Sequence, residues 1–341
     1  MRKYLYEIIT GKRRNLFLEA VLWVFSLVYT VFILLISRLR RANQQEFACK
    51  VISVGNITLG GTGKTVFVQF LCRRLSSLGK KVAVVSRGYR LNKNDISDEP
   101  RMLQEKLGDL ILAVILDKNR ARAIKKAISL GADTVILDDG FQQWGIKKDL
   151  EIVTLDAGFP FGNKKVLPAG ILREPLGSLE RADVLVLNKI EDFDTQDLKR
   201  KLLALNPSGI VLDIQYKPVY VFPVWLPKKI NDIGILRARK IVSFCGIARP
   251  ESFRKSLLEC QAQILDELIF ADHYQYCLKD IAQISGKAKE AGAEFILTTE
   301  KDAARLSFLK HDDMNLPVYV LAIEPVVLSG QDKFNLKLEN S

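Results

Sequence analysis

Between residues 16 and 37 nearly every position is apolar, the run being broken by Glu19, Ser26, Thr30 and a few amphipathic aromatics. Such a run has no polar face, so it predicts a helix suited to an apolar medium rather than to one side of a core. Its uncharged part, residues 20–37, sits at the short edge of what spans a bilayer, where about 20 residues are needed. Further on the pattern changes. Val51, Ile52 and Val54 read as a strand, Gly60, Gly61 and Gly63 break it, and Phe67, Phe70, Leu71 and Leu75 fall on one helical face. Short apolar runs then predict strands over 81–86, 110–115, 134–139, 150–155 and 184–187, with helical periods over 102–107 and 119–130. Around 215–229, short β-like pieces with Pro218, Pro223 and Pro227 interrupt the rhythm. A second series follows, with strands at 241–244, 263–270, 295–299 and 317–323 and helices at 251–260, 278–291 and 303–309.

This order predicts an α/β fold: a parallel α/β/α sandwich, then a second, smaller α/β/α domain. The expected division is an anchor helix in 1–42, a first domain in 43–214, a linker in 215–229, a second domain in 230–325 and a polar, mobile tail in 326–341.

Charge sharpens the reading of the N-terminus. Of 51 Lys/Arg and 39 Asp/Glu, nine basic and three acidic residues lie within residues 1–50, half of the net +12. Basic clusters stand on both sides of the apolar run: Arg2, Lys3, Lys12, Arg13 and Arg14 before it, Arg38, Arg40 and Arg41 after it. Spanning would carry one cluster across the membrane, whereas an in-plane or dipping anchor leaves both on anionic headgroups, and that arrangement is favoured. No basic stretch is interleaved with aromatics in a nucleic-acid-binding module, so nucleic acid is not expected as a partner. The five scattered cysteines lack paired spacing and predict reduced thiols without a metal cluster.

Strand, glycine loop and helix around residue 60 form the setting of a phosphate site. Thr58, Leu59, Gly60, Gly61, Thr62 and Gly63 would turn backbone N–H groups inward. Lys64 would reach the β- and γ-phosphates of ATP, and the Thr65 hydroxyl would ligate Mg²⁺. Thr58 stands where the usual pattern has glycine. Asp138 and Asp139, ending an apolar strand, predict a carboxylate pair for Mg²⁺. Arg173 and Glu174 lie in a loop bounded by Pro168, Gly170 and Pro175, where a guanidinium suits phosphoryl charge. Asp98 and His273 together could accept a hydroxyl proton. A different reading comes from Asn188-Lys189, which imitates a guanine-reading motif; Glu191 in place of its Asp, and Leu59 where related ATPases carry a second lysine, weaken it.

In order along the chain, Gly60-Gly61-Thr62-Gly63-Lys64-Thr65, Ser86-Arg87-Gly88-Tyr89, Asp98-Glu99-Pro100, Asp138-Asp139-Gly140-Phe141-Gln142, Leu172-Arg173-Glu174-Pro175, Gly246-Ile247-Ala248-Arg249-Pro250, Phe270-Ala271-Asp272-His273 and Thr298-Thr299-Glu300-Lys301-Asp302 resemble the tetraacyldisaccharide 4′-kinase family, the lipid A 4′-kinases. The resemblance implies two α/β/α domains of P-loop type joined by a small β linker. It implies a monomeric, membrane-associated enzyme at the cytoplasmic face of the inner membrane. The γ-phosphate of ATP would pass to the 4′-hydroxyl of an acylated disaccharide 1-phosphate, with a regulatory P-loop GTPase or metallochaperone as the alternative. By position, Asp98 matches the proposed base and His273 its partner. Arg173 and Glu174 match active-site loop residues, Glu174 being expected near the metal, and Arg120 matches a catalytic arginine.

Overall fold

A computed structural model describes residues 9, 15–87, 103–104, 107–188, 190, 193–227, 229–247, 249–272, 274–306 and 316–340. The chain divides into two units, residues 1–215 with 325–341, and residues 216–324.

In the first unit the apolar run is helix α1 (Leu16–Ala42). The Asn15 side chain caps it by accepting from the Leu18 N–H, and Arg40 and Arg41 occupy the last turn, where cations suit the helix dipole. Its burial is the inverse of a core helix. Ser26 and Ser37 are buried, while Phe17, Phe25, Val28, Val31, Phe32 and Leu35 are exposed. Only 11% of its most apolar window is buried, so the helix does not serve as a core element of the first unit. It docks through small polar contacts: the Ser26 hydroxyl donates to the Val166 carbonyl at 2.8 Å, and the Tyr29 hydroxyl donates to the Arg173 carbonyl at 3.2 Å.

The chain then runs through β1 (Lys50–Gly55), α2 (Lys64–Ser77), β2 (Val82–Ser86), β3 (Ala113–Leu116), α3 (Arg120–Ser129), β4 (Thr134–Asp138), β5 (Leu150–Asp156), β6 (Val184–Asn188), α4 (Gln196–Leu205) and β7 (Ile210–Pro223). Seven strands pair in parallel in the order β3-β2-β4-β1-β5-β6-β7. Val51, Ala83, Val85, Val135 and Leu137 pack against Ala123, Ile124 and Ala127 of α3. The alternate positions Ile52, Val54, Val84 and Ile136 are as deeply buried, so the sheet is covered on both faces, as near-continuous apolar strands require. The strand expected over 110–115 is shifted: a 3-10 turn takes Gly108–Leu110 and β3 begins at Ala113.

Residues 215–229, expected as a linker of short pieces, begin as the second half of β7, against which β8 (Asn231–Asp232) pairs antiparallel at Tyr220 and Val221. The second unit continues with β9 (Lys240–Cys245), α5 (Pro250–Glu259), β10 (Gln263–Ile269), α6 (Leu278–Glu290), β11 (Phe295–Thr299), α7 (Glu300–Leu306) and β12 (Val318–Ser329). Its strands pair in parallel in the order β10-β9-β11-β12. Phe244, Tyr276, Ile281, Ile284 and Ile296 form one of its cores.

The expectation of a polar mobile tail in 326–341 is corrected by the structure. β12 continues to Ser329, and α8 (Gln331–Asn340) packs on the first unit. Phe334 is fully buried, its ring 6.3 Å from that of Phe67 and 6.5 Å from that of Phe70, both on α2. The signal was present but small: Phe334 and Leu338 are four residues apart, one buried stripe in an otherwise polar segment. Phe334→Ala is therefore expected to destabilise the protein by about 3 kcal/mol through the cavity left behind. Chemical denaturation measures this, and a loss below about 1 kcal/mol would mean that α8 does not hold the helix beneath it.

Candidate active site

Strand β1 delivers the glycine loop to the carboxyl edge of the sheet, where open α/β folds bind ligands. Gly55 has no room for a side chain, since a Cβ there would lie 2.5 Å from the Phe141 Cβ. At the other end Gly63, with φ +81°, is the N-cap of α2, a left-handed position that glycine adopts without strain. No side chain caps that helix, which leaves its N-terminal N–H groups facing the loop, the arrangement that receives phosphate.

The loop is held from two sides. The Leu59 N–H donates to the Ile171 carbonyl at 2.8 Å, and the Arg173 N–H donates to the Ile57 carbonyl at 2.7 Å. Between them Thr58 forms an antiparallel bridge with Leu172. This accounts for the threonine at a position usually given to glycine: its backbone is extended and paired, a conformation any residue adopts. From beneath, the Asn188 amide donates to the Thr62 carbonyl at 2.7 Å, and the Thr62 and Thr154 hydroxyls bond at 2.7 Å. Asn188 is fully buried and supports the loop that Lys64 ends; Lys189 and Glu191 of the same motif lie outside the described residues.

The charged groups expected from separate motifs meet here. Lys64 Nζ lies 3.5 Å from the Asp139 carboxylate, and the Arg173 guanidinium donates to both Asp139 oxygens at 3.0 and 2.9 Å. Asp139 itself has φ +57°, in a region a non-glycine residue rarely adopts. Burial pushes its carboxyl up, but the Lys64 and Arg173 charges outweigh this and hold it below its usual value. The sign follows: the ion pairs stabilise the fold above the unfolded carboxyl value of about 4, and that contribution is lost as pH falls through the lower folded value. Asp138 turns the other way and accepts from the Ser86 hydroxyl at 3.0 Å. Arg120 is buried and clamps the main chain, donating to the carbonyls of Asp117 at 3.0 Å and Asp138 at 3.1 Å. Burial lowers the Arg120 pKa, against the opposing pull of Asp138 and Asp139.

Glu174 departs from expectation. Both its oxygens are engaged by Arg181 at 2.9 and 3.1 Å, and one also accepts from Gln142 at 3.1 Å. Gln142 in turn accepts from Arg173 at 3.3 Å. Glu174 thus braces the loop that carries Arg173, its oxygens engaged by Arg181 and Gln142. Arg181 was not legible, since it sits in a 3-10 turn and its spacing carries no signal; Gln142 stood in the motif that follows the acid pair, but no role was assigned to it. Asp98 and His273 lie outside the described residues.

The remaining donors fit Mg²⁺. Among the described residues no three acids, cysteines or histidines gather as a metal cage. A magnesium ion beside phosphates needs only one or two carboxylates; Asp139, held by Arg173 and Lys64, and Asp138, held by Ser86, would each give up a partner to take the ion. The buried Arg173 Nε has no acceptor among the described residues.

The family model of the tetraacyldisaccharide-1-P 4′-kinases, LpxK, matches residues 18–341. A tetraacyldisaccharide 4′-kinase of Halothermothrix orenii is 33% identical over 363 residues, covering 95% of this chain and 94% of its own. One of Syntrophus aciditrophicus is 36% identical over 348 residues, covering 94% and 92%. Among solved structures, LpxK from Aquifex aeolicus, an "apo" form in complex with ATP, superposes with a TM-score of 0.71 at 26% identity, covering 95% of this chain and 99% of that one. The regulatory GTPase alternative is not favoured by these likenesses. With its phosphate loop, acid pair and loop arginine gathered at one edge of the sheet, the chain belongs to the tetraacyldisaccharide-1-P 4′-kinase family.

Proposed function

We propose that this protein transfers the γ-phosphate of ATP to the 4′-hydroxyl of a tetraacyldisaccharide 1-phosphate, a step of lipid A biosynthesis, at the cytoplasmic face of the inner membrane. The observation that carries the reading is the meeting of Lys64, Arg173 and Asp139 beside the uncapped N-terminus of α2. Phosphoryl transfer asks the protein chiefly for positioning and charge, and these groups supply both. Backbone N–H groups of residues 60–63 and the α2 N-terminus hold the phosphate chain, and Lys64 exchanges part of its pairing with Asp139 for the transferring group. Arg173, oriented through Gln142 and Glu174, meets the charge that develops on the equatorial oxygens. Thr65, Asp138 and Asp139 would hold Mg²⁺, which supplies charge neutralisation between the phosphates. Asp98, aided by His273, is the proposed acceptor of the hydroxyl proton.

Helix α1 supports the membrane setting. An outward apolar surface ending in Arg38, Arg40 and Arg41 suits a helix that lies in or dips into the bilayer, with cations at the headgroups. Transfer of label from γ-labelled ATP to a tetraacyldisaccharide 1-phosphate in mixed micelles tests the reading. Wild type is expected to label the acceptor and Asp98→Ala to fall by about 10²-fold or more. An unlabelled acceptor with wild type would refute the activity, and equal rates would remove Asp98 from it.

A further inference from the structure

A cavity of about 320 Å³ lies where α1 ends, away from the phosphate loop residues. Arg41 and Gln44 line it from the helix end, and Trp144, Lys147, Lys148 and Arg181 from the segments before β5 and β6, with Glu151 the acid among them. Four cations thus face one carboxylate. Lys148 pairs with Glu151, Arg181 is shared between Glu174 and Glu151, and Lys147 reaches out to the exposed Glu46. Arg41 makes no ion pair among the described residues, so the cavity keeps an excess of positive charge.

A second observation points to an acceptor oxygen. Trp144 is 8% exposed, and its buried indole N–H has no acceptor among the described residues. Such a donor is costly to leave unpaired, and a ligand oxygen would satisfy it. The walls are preformed. The Gln44 side chain donates to the carbonyls of Trp144 at 3.0 Å and Ile146 at 3.3 Å. Backbone bonds from Gln45 to Gly145 and from Lys147 to Gln45, at 2.9 and 3.0 Å, tie the same segments.

We propose that this cavity binds a phosphate group, supplied by the headgroup of an anionic phospholipid beside α1. The ligand chemistry is a phosphate oxygen that accepts from Trp144 Nε1 and meets the charge of Arg41, Lys147 and Arg181. Headgroup and free inorganic phosphate share that chemistry. The position favours the headgroup, because the cavity adjoins the basic end of an exposed apolar helix, and a tryptophan with clustered cations is what the bilayer interface accommodates. The lipid source rests on the membrane reading of α1; the phosphate site does not.

The test uses the full chain in two arms. In the first, co-sedimentation with phosphatidylcholine vesicles, with and without phosphatidylglycerol, compares wild type with Trp144→Phe, Arg41→Gln and the off-cavity control Arg38→Gln. In the second, the Trp144 indole N–H resonance is followed while inorganic phosphate is added to protein saturated with Mg-ADP. Trp144→Phe and Arg41→Gln are expected to weaken the phosphatidylglycerol-dependent binding about five- to tenfold, and Arg38→Gln by about twofold or less. Arg41 is exposed, so its variant remains informative should Trp144→Phe be unstable. A resonance that moves with phosphate while all variants bind vesicles alike assigns the cavity to the free anion. Failure of wild type to bind either kind of vesicle sinks the membrane reading of α1, and with it the lipid source, while the phosphate arm still decides the site. Equal vesicle binding by all four proteins together with a stationary indole resonance overturns the proposal.

Discussion

Lys64→Ala is expected to lower kcat/KM for ATP by about 10²- to 10³-fold while leaving the folded protein nearly as stable as wild type. The two halves of that expectation have different causes. Lys64 is the cation at the end of the phosphate loop, and an ammonium aimed at developing phosphoryl charge acts in the transition state more than in the ground state. Its ion pair with Asp139 is partly exposed, the two side chains being 17% and 30% accessible, and Asp139 keeps Arg173 as a second partner at 2.9 Å. Removal of Lys64 therefore strands no buried charge, and a loss of about 1 kcal/mol or less in stability follows. Steady-state kinetics with varied ATP, alongside thermal unfolding, separates the effects. A fall in kcat/KM below tenfold would show that the loop backbone and Arg173 carry the phosphates without the lysine.

Lys64→Arg makes the same argument from the other direction. Charge is kept, but a planar fork replaces a compact ammonium 3.5 Å from Asp139, in a loop whose neighbours Thr58, Thr62 and Asn188 are pinned by hydrogen bonds. The loop cannot widen without breaking those contacts, which is why its shape persists despite the exposed Leu59, Gly60 and Gly61 at its tip.

Much of this site could be read along the chain because phosphate chemistry leaves local marks. Glycines before Lys64 and Thr65, and an acid pair at the end of an apolar strand, are each short-range patterns, and parallel pairing of β1 with β4 brings them together. Arg173 was legible only by its loop setting; its contact with Asp139 spans 34 positions and depends on the Thr58 to Leu172 bridge. Glu174 shows what such reading omits. An acid beside the loop arginine looks like a metal ligand, yet Arg181 follows seven positions later in a 3-10 turn and engages both its oxygens. Helix α1 was legible from composition, but its docking through Ser26 and Tyr29 was not, because a hydroxyl that interrupts an apolar run carries no address. The end of the chain misled for the opposite reason. One buried phenylalanine decides where α8 packs, and a polar average conceals it.

In the second unit, Asp302→Ala is expected to destabilise the protein by about 3–5 kcal/mol. Asp302 is fully buried and gathers four donors: the Gly246 N–H at 3.0 Å, the Tyr276 hydroxyl at 2.9 Å, the Thr299 hydroxyl at 2.6 Å and the Arg305 guanidinium at 3.2 Å. It thereby ties the loop after β9 to α7, and Gly246 approaches so closely that a Cβ there would lie 3.0 Å from the Ala271 carbonyl oxygen. Alanine would remove a carboxylate partner of the Arg305 side chain, which is 2% exposed. It would also leave the Tyr276 hydroxyl, whose pKa is pushed up first by burial and then by the Asp302 charge, without its acceptor. Asp302→Asn keeps the size and one oxygen, so it separates charge from shape: a cost near that of alanine means that the ion pair with Arg305 dominates, and a cost below about half means that the neutral hydrogen bonds do. The cysteine thiol of Cys245 gives a local reading. Burial and then Asp302 push its pKa up to about 12; loss of the carboxylate removes the smaller of the two causes, so the value falls while burial still holds it raised, and alkylation shifts to lower pH. Denaturation midpoints of the two variants, with Cys245 labelling measured under native conditions, test the argument, and an alanine variant within about 1 kcal/mol of wild type would show that Arg305 finds another partner.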